Sequence, residues 1–208
     1  FHVDATQALC AQTVDVLRWK VDALSLSGHK IYAPGGIGAL FLALEAPWRP
    51  QPLVHGGGQE RGLRAGTVPA ALCVALGEAC RLIVDEGAAE RAVVAALRDA
   101  LESGLRGVFP ALEVTCATSP RHPGALHVRF PGTDAADLLT RLQPRVGAST
   151  GSACNSGIIG PSHVPLALGM SPEEAAQCVR FSVGRFSSPT DIEIATDALR
   201  SALLKRAA

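Results

Sequence analysis

The spacing of apolar positions changes along the chain and divides it into three parts. In the first part, short apolar runs at 1–3, 22–27 and 37–44 predict strands. A stretch rich in Gly, Pro and Arg at 47–66 predicts a long loop. In the second part, from 69 to 104, apolar residues recur with the 3.6-residue period of a helix. The chain is therefore expected to pass from strands and loops into one long helical segment.

The third part mixes short strands with helices. Its strands are predicted at 112–117, 125–130, 145–148 and 179–183. A helix is predicted at 135–142. Two sequences, Ser171–Glu174 and Thr190–Glu193, have the form of a capping box, which indicates the start of a helix. The order of elements over the whole chain predicts α/β architecture with a smaller α+β domain at the end.

Composition and charge exclude several functions. The 19 Lys and Arg residues balance 19 Asp and Glu residues and are scattered along the chain, which argues against nucleic acid as the main partner. No apolar run reaches the roughly 18 residues that a membrane span needs. Because 48% of the residues are apolar and 18% charged, we expect a folded chain with a substantial core.

The cysteines give no sign of a structural metal or of a disulfide framework. No CxxC pair and no Cys/His cluster with zinc-ligand spacing is formed by Cys10, Cys73, Cys80, Cys116, Cys154 and Cys178. Cys154 is set apart by its surroundings. The other five are expected to be small buried apolar residues in a reducing compartment, which favours the cytoplasm.

Two candidate groups follow the strands of the first part. Lys30 ends the sequence Ser27-Gly28-His29-Lys30 just past a buried strand, and ligands of open α/β sheets bind at the carboxyl ends of strands. Such a lysine is either a surface charge or the amine of a Schiff base with a carbonyl cofactor. Asp4 either caps a helix that begins at Ala5 or pairs with a protonated pyridine nitrogen, as in pyridoxal phosphate (PLP) sites.

Two more candidates lie in the third part. Cys154 is flanked by small, polar and flexible residues from Gly151 to Gly157, which favours an exposed thiol that can reach a ligand. The alternative is an incidental loop cysteine. Arg180 lies inside an apolar strand and needs a partner, which is either an internal carboxylate or the carboxylate of a substrate.

Five sequence motifs, taken in order, point to one family. They are FHVDATQA, SGHKIYAPGGIGALF, GGGQERGLRAGT, GSACNSG and VRFSVGRF. Across nearly all 208 residues the chain resembles PLP-dependent cysteine desulfurases of the NifS/IscS kind, which belong to the class V aminotransferase superfamily of fold type I. The resemblance implies an enzyme that takes sulfur from L-cysteine, leaves L-alanine and carries the sulfur as a persulfide on the protein.

The resemblance also implies a domain organisation. Residues 1–85 would form the C-terminal half of the PLP-binding large domain, with a mixed sheet and helices. Residues 86–104 would be a linking helix, and 105–208 the small α+β domain that carries the active-site cysteine loop.

Individual residues match the functional positions of the family. Lys30 matches the Schiff-base lysine, and Asp4 matches the aspartate under the pyridine nitrogen. Gln7 matches the residue that bonds the 3′-oxygen of PLP. Cys154 matches the cysteine that receives sulfur, and Arg180 matches the arginine that binds the substrate carboxylate.

The phosphate of PLP has three matching residues. Ser27 and His29 correspond to phosphate ligands of the same subunit. Thr67 corresponds to a threonine that reaches the phosphate of the partner subunit, so the resemblance implies a homodimer. A protein that accepts the sulfur is also implied, and an iron–sulfur scaffold, a tRNA-thiolation protein and a selenium pathway all remain open.

The chain departs from the family in its length. It lacks counterparts of the earlier strands, of the phosphate-binding loop and of the histidine that stacks on the PLP ring. We therefore expect a fragment, a nicked chain or one piece of a split protein, whose missing N-terminal half is a partner. Alone, this segment is expected to be inactive and to bind PLP poorly.

Two other functions stay open. One is a selenocysteine lyase, because the GGGQER motif also resembles those enzymes. The other is a non-catalytic sulfur-relay fragment. Against the second stands the presence of all four residues with chemical roles, since a decayed module is expected to have lost at least one of Lys30, Asp4, Cys154 and Arg180.

Overall fold

The structure, a computed structural model, describes residues 1–151 and 162–204. The chain forms two compact units, Phe1–Arg91 and Ala92–Ala208. Their boundary falls inside the segment 86–104 that was expected to link two domains. The identity of these units as parts of a PLP-binding domain and a small domain stays a prediction. Within the described residues, no helix is both long enough and apolar enough to cross a membrane.

The first unit is built on a mixed sheet of three strands, β1 (His2–Asp4), β2 (Ala23–Ser27) and β3 (Gly38–Leu42), which lie in that order. β1 is parallel to β2, and β3 is antiparallel to β2. All three strands predicted from the sequence are confirmed. A Cβ atom on Gly38 would lie 2.6 Å from the carbonyl oxygen of Leu26, so the close approach of β3 to β2 at this point requires glycine.

A short helix, α1 (Val16–Trp19), follows the turns after β1 and was not predicted. Asp15 caps its N-terminus, and the Asp15 carboxylate accepts hydrogen bonds from two backbone N–H groups of the first turn, both at 3.0 Å. Three residues around it, Ala5, Val21 and Leu24, form a small buried cluster against the sheet. Four helical residues are too few to show a helical period in the sequence.

The predicted long helix is confirmed as α2 (Ala70–Val108), which has 39 residues. Gly87 lies inside it without ending it. In the first unit, Ala79 of α2 packs with Ile31 and Ala33, which lie one and three residues after Lys30. The first half of α2 therefore supports the chain segment that carries the candidate lysine.

The second unit contains an antiparallel sheet of β4 (Glu113–Val114), β5 (Ala125–Arg129) and β6 (Cys178–Ser182), in that order. Its helices are α3 (Ala135–Leu142), α4 (His163–Ala167), α5 (Pro172–Ala175) and α6 (Pro189–Leu204). The core of this unit includes Leu101, Leu105, Leu126, Val128, Phe130, Leu138, Val179 and Leu199. Along β5 and β6 every second residue enters this core. The other residues of these two strands therefore lie on the opposite face of the sheet.

The strand predicted at 145–148 is wrong. The structure shows no strand there, and only Ser149 pairs, in an isolated bridge to Arg180 of β6. Val146 and Ala148 pack against the core of the second unit. Their apolar character reflects burial and not strand pairing.

One of the two predicted capping boxes is confirmed. Ser171 and Glu174 exchange both hydrogen bonds at the start of α5. The box predicted at Thr190–Glu193 is wrong, because Ser188 and Asp191 form the reciprocal contacts and α6 begins at Pro189. Proline is favoured at the first helical position, which places the cap one residue before it.

The expectation that five cysteines are buried holds for Cys178 alone. Cys10, Cys73 and Cys80 are half-buried, and Cys116 is exposed. Cys116 follows the short strand β4 and has a left-handed backbone with φ of 54°, a conformation typical of turns, which lie at the surface. All five are free thiols.

Candidate active site

The carboxyl ends of β1 and β2 lie at the same edge of the first sheet, because the two strands are parallel. Asp4 is the last residue of β1 and stands opposite Ser25 of β2. The backbone N–H of Ala5 donates a hydrogen bond to the carbonyl oxygen of Ser25 at 2.9 Å. Lys30 follows shortly after the end of β2. Two predicted site groups, Asp4 and the Lys30 segment (Ser27–Lys30), therefore leave the sheet at one edge.

The Lys30 segment turns sharply as it leaves β2. Gly28 begins a single 3-10 turn, and its backbone N–H donates to the carbonyl oxygen of Ile37 at 2.9 Å. A Cβ atom at Gly28 would lie 2.9 Å from Cγ2 of Ile37 and 3.1 Å from the Ile37 carbonyl oxygen. Only glycine fits this position. The turn leaves the side chains of His29 and Lys30 exposed.

Ser27 and His29, the two predicted phosphate ligands, contact each other. Oγ of Ser27 and Nδ1 of His29 are 2.8 Å apart. A hydroxyl, an imidazole and the Lys30 ammonium thus follow one another on a single turn. These groups can donate several hydrogen bonds to an anion such as a phosphate group.

Asp4 does not cap a helix. Its Oδ1 accepts a hydrogen bond from the backbone N–H of Thr6 at 2.9 Å, and a series of turns follows where a helix from Ala5 was considered. Hydrogen bonds from Thr6, through its side chain and then its backbone, lower the pKa of Asp4, and the nearby His2 lowers it further. The carboxylate is thereby held in the ionised form that can pair with a protonated ring nitrogen.

Gln7 and Thr67 are both exposed and lie outside regular secondary structure. Gln7 belongs to the turns after β1, and Thr67 lies at the end of the predicted long loop, just before α2. The neighbouring Gly66 donates its backbone N–H to Oε1 of Gln59 at 3.1 Å, which orders this end of the loop. Within the described chain, neither Gln7 nor Thr67 hydrogen-bonds to the Lys30 segment.

Arg180 lies in the second unit, in the middle of β6, and is half-buried. Its backbone exchanges two hydrogen bonds with Ser149, at 2.7 Å from the Arg180 N–H and 3.1 Å from the Ser149 N–H. On its other side it is paired in register with His127 of β5. Among residues 1–151 and 162–204, no carboxylate forms an ion pair with Arg180. The internal carboxylate considered for it is therefore absent from this part of the chain.

The sequence reasoning missed His127, which lies opposite Arg180 on β5, and Thr115, which contacts His127. Nδ1 of His127 lies 2.8 Å from Oγ1 of Thr115, the residue after β4. Burial lowers the pKa of His127, and the positive charge of Arg180 lowers it further, so the imidazole is neutral near pH 7. The available signal was a polar residue within the alternating strand Ala125–Arg129, two positions from the nearest charge.

Cys154 lies outside the residues that the structure describes, so its predicted position as an exposed loop cysteine stays a prediction. The described chain ends before it at Gly151, whose carbonyl oxygen accepts a hydrogen bond from Oγ of Ser149 at 3.0 Å. Over the same described residues, no group of three His, Cys, Asp or Glu side chains is arranged to hold a metal ion.

The sequence of the chain is similar to one protein family and to proteins named cysteine desulfurases. Residues 1–194 match the family Aminotransferase class-V. A protein of Colwellia psychrerythraea named cysteine desulfurase IscS is 39% identical over 203 residues, which cover 98% of this chain and 50% of the relative. A mitochondrial cysteine desulfurase of Arthroderma benhamiae is 42% identical, over 96% of this chain and 39% of the relative. The chain spans about half the length of the curated relatives it matches.

Solved structures agree with the sequence comparison. A NifS-like protein from Rickettsia africae superimposes with a TM-score of 0.86 and 26% identity, over 98% of this chain and 53% of that protein. A second NifS-like protein gives a TM-score of 0.82 at 28% identity, over 98% of this chain and 52% of that one. The predicted α/β fold of type I is confirmed by these similarities, and the chain corresponds to part of it.

Proposed function

Because the chain belongs to the class-V aminotransferase family and its relatives are named cysteine desulfurases, we propose that it is part of a PLP-dependent cysteine desulfurase. The reaction is removal of sulfur from L-cysteine, which leaves L-alanine and a persulfide on the protein. The observation that carries the proposal is the common edge of β1 and β2, from which Asp4 and the Lys30 segment both emerge.

The residues at this edge fit PLP. Ser27 and His29 already form a hydrogen-bonded pair that offers donors to a phosphate. The turn through Gly28 admits no Cβ atom, so the backbone there stays compact beside the exposed Lys30 amine. Asp4 supplies an ionised carboxylate for the ring nitrogen. In this proposal Gln7 bonds the 3′-oxygen of the ring.

When bound, PLP supplies an aldehyde that reacts with amines and a ring that withdraws electrons from the substrate Cα. Lys30 would hold the cofactor through its Nζ, and its free amine would move a proton to or from the substrate carbon. Asp4 keeps the proton on the ring nitrogen by charge pairing. Arg180 binds and orients the substrate carboxylate with its planar guanidinium.

Cys154 is the proposed sulfur acceptor. Its thiolate forms an S–S bond with the substrate sulfur while the substrate Cβ–S bond breaks. The bonding electron pair stays with the carbon fragment, which takes up a proton and becomes alanine. A persulfide on Cys154 is then available to an acceptor protein.

The setting of the reaction follows from the same family. We propose a homodimer in which Thr67 reaches the phosphate of the PLP in the partner subunit. The persulfide would serve iron–sulfur cluster assembly or the synthesis of sulfur-containing cofactors. Free thiols at all five cysteines of the described chain suit a reducing compartment, and we propose the cytoplasm.

The proposal is tested on the complete PLP-bound protein. Lys30→Ala is expected to abolish the yellow colour of bound PLP and the release of alanine, with the circular dichroism unchanged. Cys154→Ser is expected to keep the colour and lose persulfide formation. If Lys30→Ala keeps the yellow colour and borohydride reduction links PLP to the protein, the role of Lys30 is contradicted. Unchanged sulfur release from Cys154→Ser would contradict the role of Cys154.

The substrate is tested by a competition. Alanine release is measured with L-cysteine and with L-selenocysteine on the same preparation. A higher kcat/KM for L-cysteine supports the desulfurase, and strong preference for L-selenocysteine identifies a selenocysteine lyase instead. Loss of both activities with retained PLP would favour a sulfur-relay role.

A further inference from the structure

The backbone contacts of Arg180 fix how its side chain meets β5. In an antiparallel sheet, the N–H and C=O of one residue point to the same neighbouring strand. Arg180 directs both groups to Ser149. They therefore point away from His127, the residue opposite Arg180 on β5.

His127 and Arg180 thus form a non-hydrogen-bonded pair, the arrangement in which Cα atoms are about 4.5 Å apart and side chains come closest. The backbone hydrogen bonds on either side of this pair show the same alternation. Phe130 donates its N–H to Gln177, and Val183 donates its N–H to Gly124, so hydrogen-bonded pairs fall at the odd residues of β6. Val179 and Phe181, the neighbours of Arg180 on β6, enter the core of the second unit. The side chains of Arg180 and His127 therefore lie on the opposite face of the sheet.

The imidazole of His127 is itself held in place. Oγ1 of Thr115 lies 2.8 Å from its Nδ1 and restricts rotation of the ring. The ring is half-buried, and the positive charge of Arg180 on β6 acts on it. Arg129, two positions along β5, is paired with Glu113. A neutral ring in this position fills space beside the Arg180 guanidinium without competing for an anion.

We propose that His127 is a positioning residue for Arg180, held by Thr115 and packed beside the guanidinium so that Arg180 stays directed at the substrate carboxylate. This inference rests on the proposed role of Arg180 in binding that carboxylate. His127 itself contacts neither substrate nor cofactor. Its effect is felt through Arg180, so it acts on substrate affinity and not on the chemical steps.

The test uses the complete PLP-bound protein and L-cysteine. His127→Ala is expected to raise KM about tenfold, the loss that follows when one charge-assisted hydrogen bond loses its geometry, with kcat within about twofold. His127→Gln, which keeps a neutral polar side chain of similar length, is expected to restore KM. The matched control is His122→Ala, which removes another half-buried histidine of the same unit and leaves KM unchanged.

A double-mutant cycle separates a positioning role from general destabilisation. Arg180→Ala is expected to raise KM by itself, and the His127→Ala/Arg180→Ala variant is expected to have the same KM as Arg180→Ala alone. Additive effects, or an equal rise of KM in His122→Ala, would show that His127 acts through the fold and would overturn the inference.

The remaining outcomes are also decisive. If Arg180→Ala leaves KM unchanged, the proposed function of Arg180 fails and this inference fails with it. If Arg180→Ala raises KM and His127→Ala does not, only the inference fails. Should His127→Ala not retain PLP, Thr115→Val replaces it: a rise of KM supports the inference, and an unchanged KM overturns it.

Discussion

The thiol of Cys10 donates a hydrogen bond to the backbone carbonyl oxygen of Lys30 at 3.3 Å. Cys10 belongs to the turns after β1, and Lys30 ends the turn after β2. The contact therefore joins the two segments that leave the same edge of the first sheet. It also places Cys10 against the apolar cluster that contains Ile31 and Ala33. A cysteine without a proposed role in catalysis thus helps to fix the backbone of the candidate lysine.

Replacement of this cysteine tests the contact. In the complete protein, Cys10→Ala is expected to lower the free energy of unfolding by about 1 kcal/mol, because the hydrogen bond is lost and a small void forms. PLP should also dissociate faster, since the Lys30 backbone is less restrained. Urea unfolding and the decay of PLP absorbance measure the two effects. Cys10→Ser keeps a donor and serves as the control; equal losses in both variants would deny the hydrogen bond a role.

The ionisation of Asp4 depends on Thr6. Hydrogen bonds from Thr6 lower the pKa of Asp4, so Thr6→Ala is expected to raise it by removing the hydroxyl, while the backbone contribution stays. Because the folded pKa is lowered, the carboxylate stabilises the fold above its ordinary pKa of 3.8, and this contribution is lost as pH falls through the folded pKa. Carboxyl-carbon NMR titration measures the shift, with Thr6→Ser as the control. If the pKa of Asp4 is unchanged in Thr6→Ala, the hydroxyl of Thr6 does not lower it.

The turn at Gly28 is expected to reject any side chain. Gly28→Ala places a methyl group 2.9 Å from Cγ2 of Ile37, and overpacking of this kind costs about 1–3 kcal/mol of unfolding free energy. Gly35→Ala is the matched control, because no heavy atom lies within 4 Å of a Cβ built there. Urea unfolding of both variants gives the comparison. Equal stability of the two would mean that the turn relaxes around the methyl group.

We expect the free energy of unfolding of the second unit to fall at acid pH because His127 becomes protonated. Burial and the charge of Arg180 lower the pKa of His127 from its ordinary 6.5, so the unfolded chain binds more protons than the folded chain between the folded pKa and 6.5. Stability therefore falls as pH decreases through that window. Half-buried His122, whose pKa is lowered by burial and by Arg98, adds to the same trend.

His127→Gln removes the titrating group and is expected to flatten this dependence. Urea midpoints between pH 5 and pH 7.5 give the measurement. The same substitution at the exposed His163 is the control. A slope that is unchanged in His127→Gln would show that the imidazole titrates alike in the folded and unfolded chain.

Much of the fold could be predicted because its elements carry a clear period. The run of residues in α3 (Ala135–Leu142) was predicted at its observed bounds, and β5 and β6 were predicted to within one residue at each end. The failure at 145–148 has a physical reason: burial selects apolar residues whether or not the backbone pairs. The helix α1 was not predicted, because its four residues are too few to form a periodic pattern, although Asp15 is a clear cap.

The candidate site was predictable only where chemistry is concentrated in a motif. The Lys30 segment and Asp4 stand at strand ends, and the parallel pairing that joins them could be expected from an α/β pattern. His127 could not be found in this way, because its importance depends on register with Arg180, a relation between residues far apart in sequence. Cysteine burial was mispredicted for a similar reason, since the exposure of a side chain depends on the fold around it; Cys116, for example, lies in a turn.

The bridge between Ser149 and Arg180 has a consequence for how this chain can evolve. Both of its hydrogen bonds use backbone atoms, so no particular side chain is needed to keep it. The stretch that carries Cys154 begins at this anchor and next meets the described chain at Ser162. Insertions or deletions within that stretch leave the sequence of the Ser149 and Arg180 segments unchanged. The length of that stretch and the role proposed for Arg180 can therefore change separately.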